Sequence, residues 1–81
     1  MKIERIEWRD SFGCSPNWGS LDKDMIKPLH CVSVGLVIHE DEDCVVVAPH
    51  WTEQHPGMDT QHYCGDMTIP TVSIVSRTEL T

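Results

Sequence analysis

Two stretches of this 81-residue sequence concentrate side chains that bind or react. The first, DSFGCSPNWGS at 10–20, sets Asp10, Ser11, Asn17 and Ser20 among Phe12, Trp18 and two glycines. Glycine lets a backbone approach a ligand closely, and an aromatic ring between polar groups is a stacking platform for a flat molecule. The same ring serves equally as a lid over the open end of a small core. The second stretch, WTEQHPGMDTQHYC at 51–64, brings Trp51, Gln54, His55, Gln61, His62 and Tyr63, with His50 just before it. Amides, imidazoles and aromatics with little charge suit recognition of base or ribose edges. They suit a protein interface as well, where Trp and Tyr are favoured anchors.

Metal and nucleophile chemistry find weaker support. His50, His55, His62 and Cys64 are the right donor types for zinc. Their H-x4-H-x6-H-x-C spacing matches no usual knuckle, and the cysteines form no C-x2-C pair, so no metal and no cofactor is expected. A thiol nucleophile would need Cys14, Cys31 or Cys64 beside a histidine, and no local signature marks such a pair. Neither a Gly-rich phosphate loop nor a nucleophile elbow is present, and a chain this short has little room for a water-excluding active site. The expectation is a protein without catalytic residues.

The elements that must carry these loops are short strands. Val32, Val34, Leu36 and Ile38 alternate with Ser33, Gly35, Val37 and His39, which predicts a strand whose valine, leucine and isoleucine set is the buried face. Gly35 is a poor strand residue unless a bulge, a bend or a close backbone approach requires it. Glu40-Asp41-Glu42-Asp43 offers no packing surface and reads as the hairpin loop. Val45, Val46 and Val47 form the return strand, covered on both faces and ended by Pro49, which lacks a backbone donor. Further strands are expected at Lys2–Trp8, with Ile6 and Trp8 on one face, at Asp66–Ile69 and at Ile74–Leu80. Pro70 to Ser73 predicts a single 3₁₀ turn between the last two, and Ser20 to Lys27 at most one short helix stopped by Pro28. Five strands, a tight hairpin and a turn before the last strand predict a mainly β single domain over 1–81. The expected fold is a small five-stranded SH3-like or Sm-like barrel with two long loops, since closure removes exposed edges. A small open sheet that dimerises through an edge is the alternative.

Composition narrows the partners. Thirteen acidic against six basic residues give a formal net charge of −7, and the bases form no run. Such a surface repels a phosphate backbone, so nucleic acid is not an expected partner. A phosphate-bearing small ligand would require Arg5, Arg9, Lys23 or Lys27 to gather at its site. The amino-terminal segment MKIERIEWRD has no apolar core of the signal-peptide kind, and no apolar run approaches the ~20 residues that cross a bilayer. No membrane partner is expected, the expected location is cytoplasmic, and the four cysteines are read as free thiols. At this size a single core only just outweighs the entropy lost on folding, which makes a homo-oligomer the expected state.

Three blocks, IEWRDS at 6–11, SVGLVIHEDEDCVVVAPH at 33–50 and CGDMTIPTVSIVSRTEL at 64–80, resemble small proteins encoded by tailed phages and prophages. The blocks are framework strands and turns and hold 41 of the 81 residues. The resemblance implies a small β-fold and a non-enzymatic accessory protein that binds something of the host cell. Two functions follow as expectations. One is sequestration of a small nucleotide-like immune signal in an oligomeric pocket, a counter-defence role, with Arg9, Ser11, Trp18, His50, Trp51, His55 and Gln61 as ligand-binding residues. The other is inhibition of a host protein through the loops and the acidic surface.

Overall fold

A computed structural model describes residues 2–11, 18 and 27–80. Among the described residues seven strands follow one another: β1 (Ile3–Asp10), β2 (Leu29–Glu40), β3 (Cys44–Ala48), β4 (His50–Trp51), β5 (Tyr63–Cys64), β6 (Met67–Pro70) and β7 (Ile74–Glu79). The runs rich in Val and Ile become strands because a branched Cβ suits the pleat; the β2–β3 hairpin falls at an acidic turn, and Pro49 separates β3 from β4. The expected 3₁₀ turn is present at Thr71–Ser73, led in by Pro70 at φ −59°. The short helix expected over 20–27 falls almost wholly outside the described residues, among which no α-helix occurs. No helix there is long and apolar enough to cross a membrane.

Five strands form one antiparallel sheet in the order β6-β3-β2-β1-β7, and β4 pairs with β5 in a separate two-stranded ladder. The edge strands β6 and β7 are joined by only three residues. In a flat sheet four interstrand spacings would put those edges ~19 Å apart, whereas four Cα steps reach at most ~15 Å. The sheet therefore curls strongly. Two bulges help it to do so: Ile38 is the extra residue of β2 against β3, and Val75 the extra residue of β7 against β1. No ladder joins β6 to β7 among the described residues, so the sheet stays open instead of closing into the expected barrel. A four-residue β6 that passes directly into a 3₁₀ turn presents too little edge to pair.

The curl places Ile6 and Trp8 of β1 against Val37, Val45, Val47 and Ile69, with Cys31 and Ile74 packed alongside. This core overturns the expected face of β2. Residues directly opposite in an antiparallel ladder share a face, and Ile6 is opposite Ser33 while Trp8 is opposite Cys31. The inner face is thus Cys31, Ser33, Gly35 and Val37, and the Trp8 indole donates to the Ser33 hydroxyl at 3.0 Å. Val32 and Val34, the residues expected inside, point outward and are about half exposed. Leu36 on that outer face is nonetheless buried, because β2 there runs beside the β4–β5 arm. Val34→Thr is accordingly expected to change the unfolding free energy by no more than ~0.5 kcal/mol, as at an ordinary surface site. A chemical denaturation curve reports the difference. A loss of several kcal/mol would place Val34 in a core.

Pro49 interrupts its ladder without ending it. Cys44 is opposite Pro70 and Val47 opposite Met67, and the same register continues as His50 opposite Cys64 and Trp51 opposite Tyr63. Thr52 extends it, its N–H donating to the His62 carbonyl at 2.8 Å. The break falls where Pro49 faces Gly65, whose φ of +75° suits glycine. Residues 50–64 therefore form a hairpin arm, where the sequence predicts an irregular loop.

Candidate functional site

The first cleft lies where the 11–27 connection leaves β1 and returns toward β2. Arg9, Asp10, Ser11, Lys27, Ser73 and the apolar Val72 and Val75 border about 690 Å³ of space. Register places Arg9 there, near the end of β1 opposite His30, while the 3₁₀ turn holds Val72 almost fully out of the core. Asp10 is turned toward its own neighbour, its Oδ1 accepting from the Ser11 N–H at 2.7 Å. Two cations thus share a cleft with one carboxylate that is already engaged.

The other described cations are neutralised. Arg5 Nη1 lies 3.2 Å from Glu7 Oε1. Arg77 makes a bidentate pair with Glu4, at 2.7 and 2.8 Å, and reaches Glu40 at 2.6 Å. Lys2 lies 3.3 Å from Glu40 and 3.4 Å from Glu4. Glu4 is the one buried charged side chain among the described residues, and the Arg77 guanidinium holds its carboxyl below the usual carboxylate range. Arg9 and Lys27 make no ion pair with a described residue.

The arm carries a second group. Trp51, Gln61 and Tyr63 stand beside Leu36 and Ile38 around a crevice of about 190 Å³, and His50, Trp51 and Cys64 border another of about 230 Å³. Gln61 is occupied holding the arm shut, its Nε2 donating to the Thr52 carbonyl at 2.9 Å. The Thr52 hydroxyl accepts from the His62 N–H at 2.9 Å. His55 sits in the turn at the tip, where its carbonyl accepts from the Met58 N–H at 3.1 Å, and it borders none of these spaces.

The seven expected ligand residues therefore divide. Arg9 and Ser11 share the first cleft; His50, Trp51 and Gln61 belong to the arm and line its crevices; His55 at the arm's tip and the fully exposed Trp18 border none of these spaces. Lys27, one of the bases a phosphate would require, joins this cleft together with Ser73 and Val72, which no sequence pattern marks. Chain proximity gave no hint that the turn at 71–73 faces the end of β1. Among the described residues His50, His55, His62 and Cys64 do not converge as metal donors. Cys31, Cys44 and Cys64 are free thiols. No protein-family model, curated protein or solved structure matches this chain.

Proposed function

We propose that this chain is a non-enzymatic phage accessory protein that sequesters a small nucleotide-like host signal in the cleft between the end of β1 and the 3₁₀ turn. One observation carries the reading: on a chain of net charge −7, Arg9 and Lys27 line a common cleft while every other described cation is matched by a carboxylate. Two cations without an ion-pair partner among the described residues and a serine hydroxyl suit a phosphate or pyrophosphate, and exposed Val72 and Val75 suit the flat face of a base. In this reading the curled sheet is a small SH3-like or Sm-like barrel left open along β6 and β7. A second copy completes the pocket by covering the exposed valines.

Thermal melting with a panel of cyclic nucleotides, ADP-ribose-type nucleotides and pyrophosphate tests the proposal. A member present at 100 times its dissociation constant is expected to add ~2.7 kcal/mol of apparent stability. The gain should shrink with salt and vanish in the Arg9→Ala/Lys27→Ala double variant. No shift with any member, or an equal shift in the double variant, sinks the idea. A second reading, inhibition of a host protein, draws on the cross-strand pair of Trp51 and Tyr63, both exposed on the arm.

A further inference from the structure

The hairpin that joins β2 to β3 brings together three donor atoms of different chemistry. His39, Asp41 and Cys44 each offer one ligand atom, and those atoms lie within 4.8 Å of one another. Among the described residues no other group of histidine, cysteine and carboxylate donors converges in this way. The turn itself sets their positions. Asp41 Oδ1 accepts from the N–H groups of Asp43 and Cys44, at 2.8 and 2.9 Å, while the Asp41 N–H donates to the Cys44 carbonyl at 3.0 Å. With one oxygen tied to the backbone, Oδ2 is directed at His39 Nε2, 2.8 Å away. The bulge at Ile38 contributes by shifting the β2 register, which sets His39 opposite Val46 on the way into the turn.

We propose that His39 Nε2, Asp41 Oδ2 and Cys44 Sγ form a binding site for a zinc-like divalent transition metal. One nitrogen, one oxygen and one sulfur suit zinc or cobalt, whereas magnesium and calcium favour sites made wholly of oxygen. Donors around a tetrahedral zinc ion stand ~3.3–3.6 Å apart, so the His39–Asp41 contact need lengthen by only about half an ångström. The thiol proton of Cys44 leaves to solvent as the metal–sulfur bond forms, and no oxidant or reductant takes part. Three protein donors leave a fourth position, open to water because His39 and Asp41 are exposed. Glu42 and Asp43 add negative charge beside the cation. The metal would clip the end of β2 to the start of β3, a staple of the kind small domains use, although closing so short a loop removes little chain entropy.

Cobalt(II), titrated into the full chain with its thiols reduced, is the probe, and zinc is the competitor. The expected result is a near-ultraviolet thiolate-to-cobalt charge-transfer band with visible bands of four-coordinate intensity, both erased by zinc. Cys44→Ser should abolish the charge-transfer band, and Cys31→Ser and Cys64→Ser should keep it. His39→Gln, at an exposed position that leaves the fold intact, should weaken cobalt binding by at least about tenfold. Far-ultraviolet circular dichroism confirms that each variant is folded. Absence of the band, its survival in Cys44→Ser, its loss in Cys64→Ser, or unchanged affinity in His39→Gln would each overturn the proposal.

Discussion

Gly35→Ala is expected to lower the unfolding free energy by ~3 kcal/mol or more, beyond the usual range for one added methyl group in a packed site. A Cβ at this position would stand 2.4 Å from the Ala48 carbonyl oxygen and 2.7 Å from its carbon. Both are backbone atoms of the neighbouring strand, so neither can turn aside as a side chain would. Val47 Cγ2 closes the remaining side at 3.0 Å. The position lies beside the last β2–β3 pair, Leu36 opposite Ala48, with the break at Pro49 one step beyond. Relief would require β2 and β3 to separate where both pack on Ile6 and Trp8. A domain of this length commands only ~4–12 kcal/mol in all, so Gly35→Val is expected to leave the chain largely unfolded at 25 °C. Denaturant midpoints for wild type and Gly35→Ala provide the measurement. A change within ~0.5 kcal/mol, the range of an ordinary surface substitution, would show that the two strands do not approach this closely.

Arg77→Ala carries the second large effect, an expected loss of ~2 kcal/mol at pH 7. Removing one partner from a fully buried ion pair costs ~3–5 kcal/mol because the other charge stays desolvated. The smaller figure applies because the Arg77 head is about a third exposed and Lys2 remains 3.4 Å from Glu4. The pair also sets the response to acid. The folded-state pKa of Glu4 is depressed, with the Arg77 hydrogen bonds as the leading cause. A depressed carboxyl stabilises the fold fully above its unfolded pKa of ~4.3, and that contribution is lost as pH falls through the folded value. Glu40, bonded to Arg77 and Lys2, shifts in the same direction. Asp41, held at about 2 by His39 and two backbone N–H groups, follows at still lower pH. Stability should therefore fall steadily below pH ~4. In Glu4→Gln the stability at pH 7 drops while the slope in acid becomes shallower. An unchanged acid slope in Glu4→Gln would remove Glu4 from this account. Replacing both partners, as Glu4→Gln/Arg77→Met, should cost less than Arg77→Ala, since no unpaired charge remains buried.

Local chemistry made much of the framework legible in the sequence. The β-branched run Val45–Val47, the acidic tetrad at 40–43 and the prolines at 49 and 70 act within a few residues of themselves, through pleat sterics, missing donors and turn hydrogen bonds. Strand positions, the β2–β3 turn and the 3₁₀ turn at Thr71–Ser73 accordingly fall within a residue or a few of where the pattern puts them. Gly35 announced itself as a residue in need of a reason, and the Ala48 carbonyl supplies it.

Which face of β2 became the core was a different kind of question. Val32, Val34, Leu36 and Ile38 form the more apolar set by sequence, but burial is decided by the strands a face meets. Trp8 and Ile6 of β1 lie opposite Cys31 and Ser33, so the less apolar set turns inward. The bulge at Ile38 then reverses the alternation, which no period-two pattern can register. The candidate sites depended still more on distance along the chain. Arg9 meets the turn at 71–73 because β1 pairs with β7, Trp8 standing opposite Ile74, and His50 meets Cys64 only because the ladder resumes after Pro49. His39, Asp41 and Cys44 were close in sequence from the start, yet their convergence required a backbone that ties down one Asp41 oxygen and frees the other. By itself the sequence determined where the chain extends and turns, because those preferences are local. Tertiary structure alone decided which strand face is inside and which cations lack an ion-pair partner among the described residues, because both follow from long-range register.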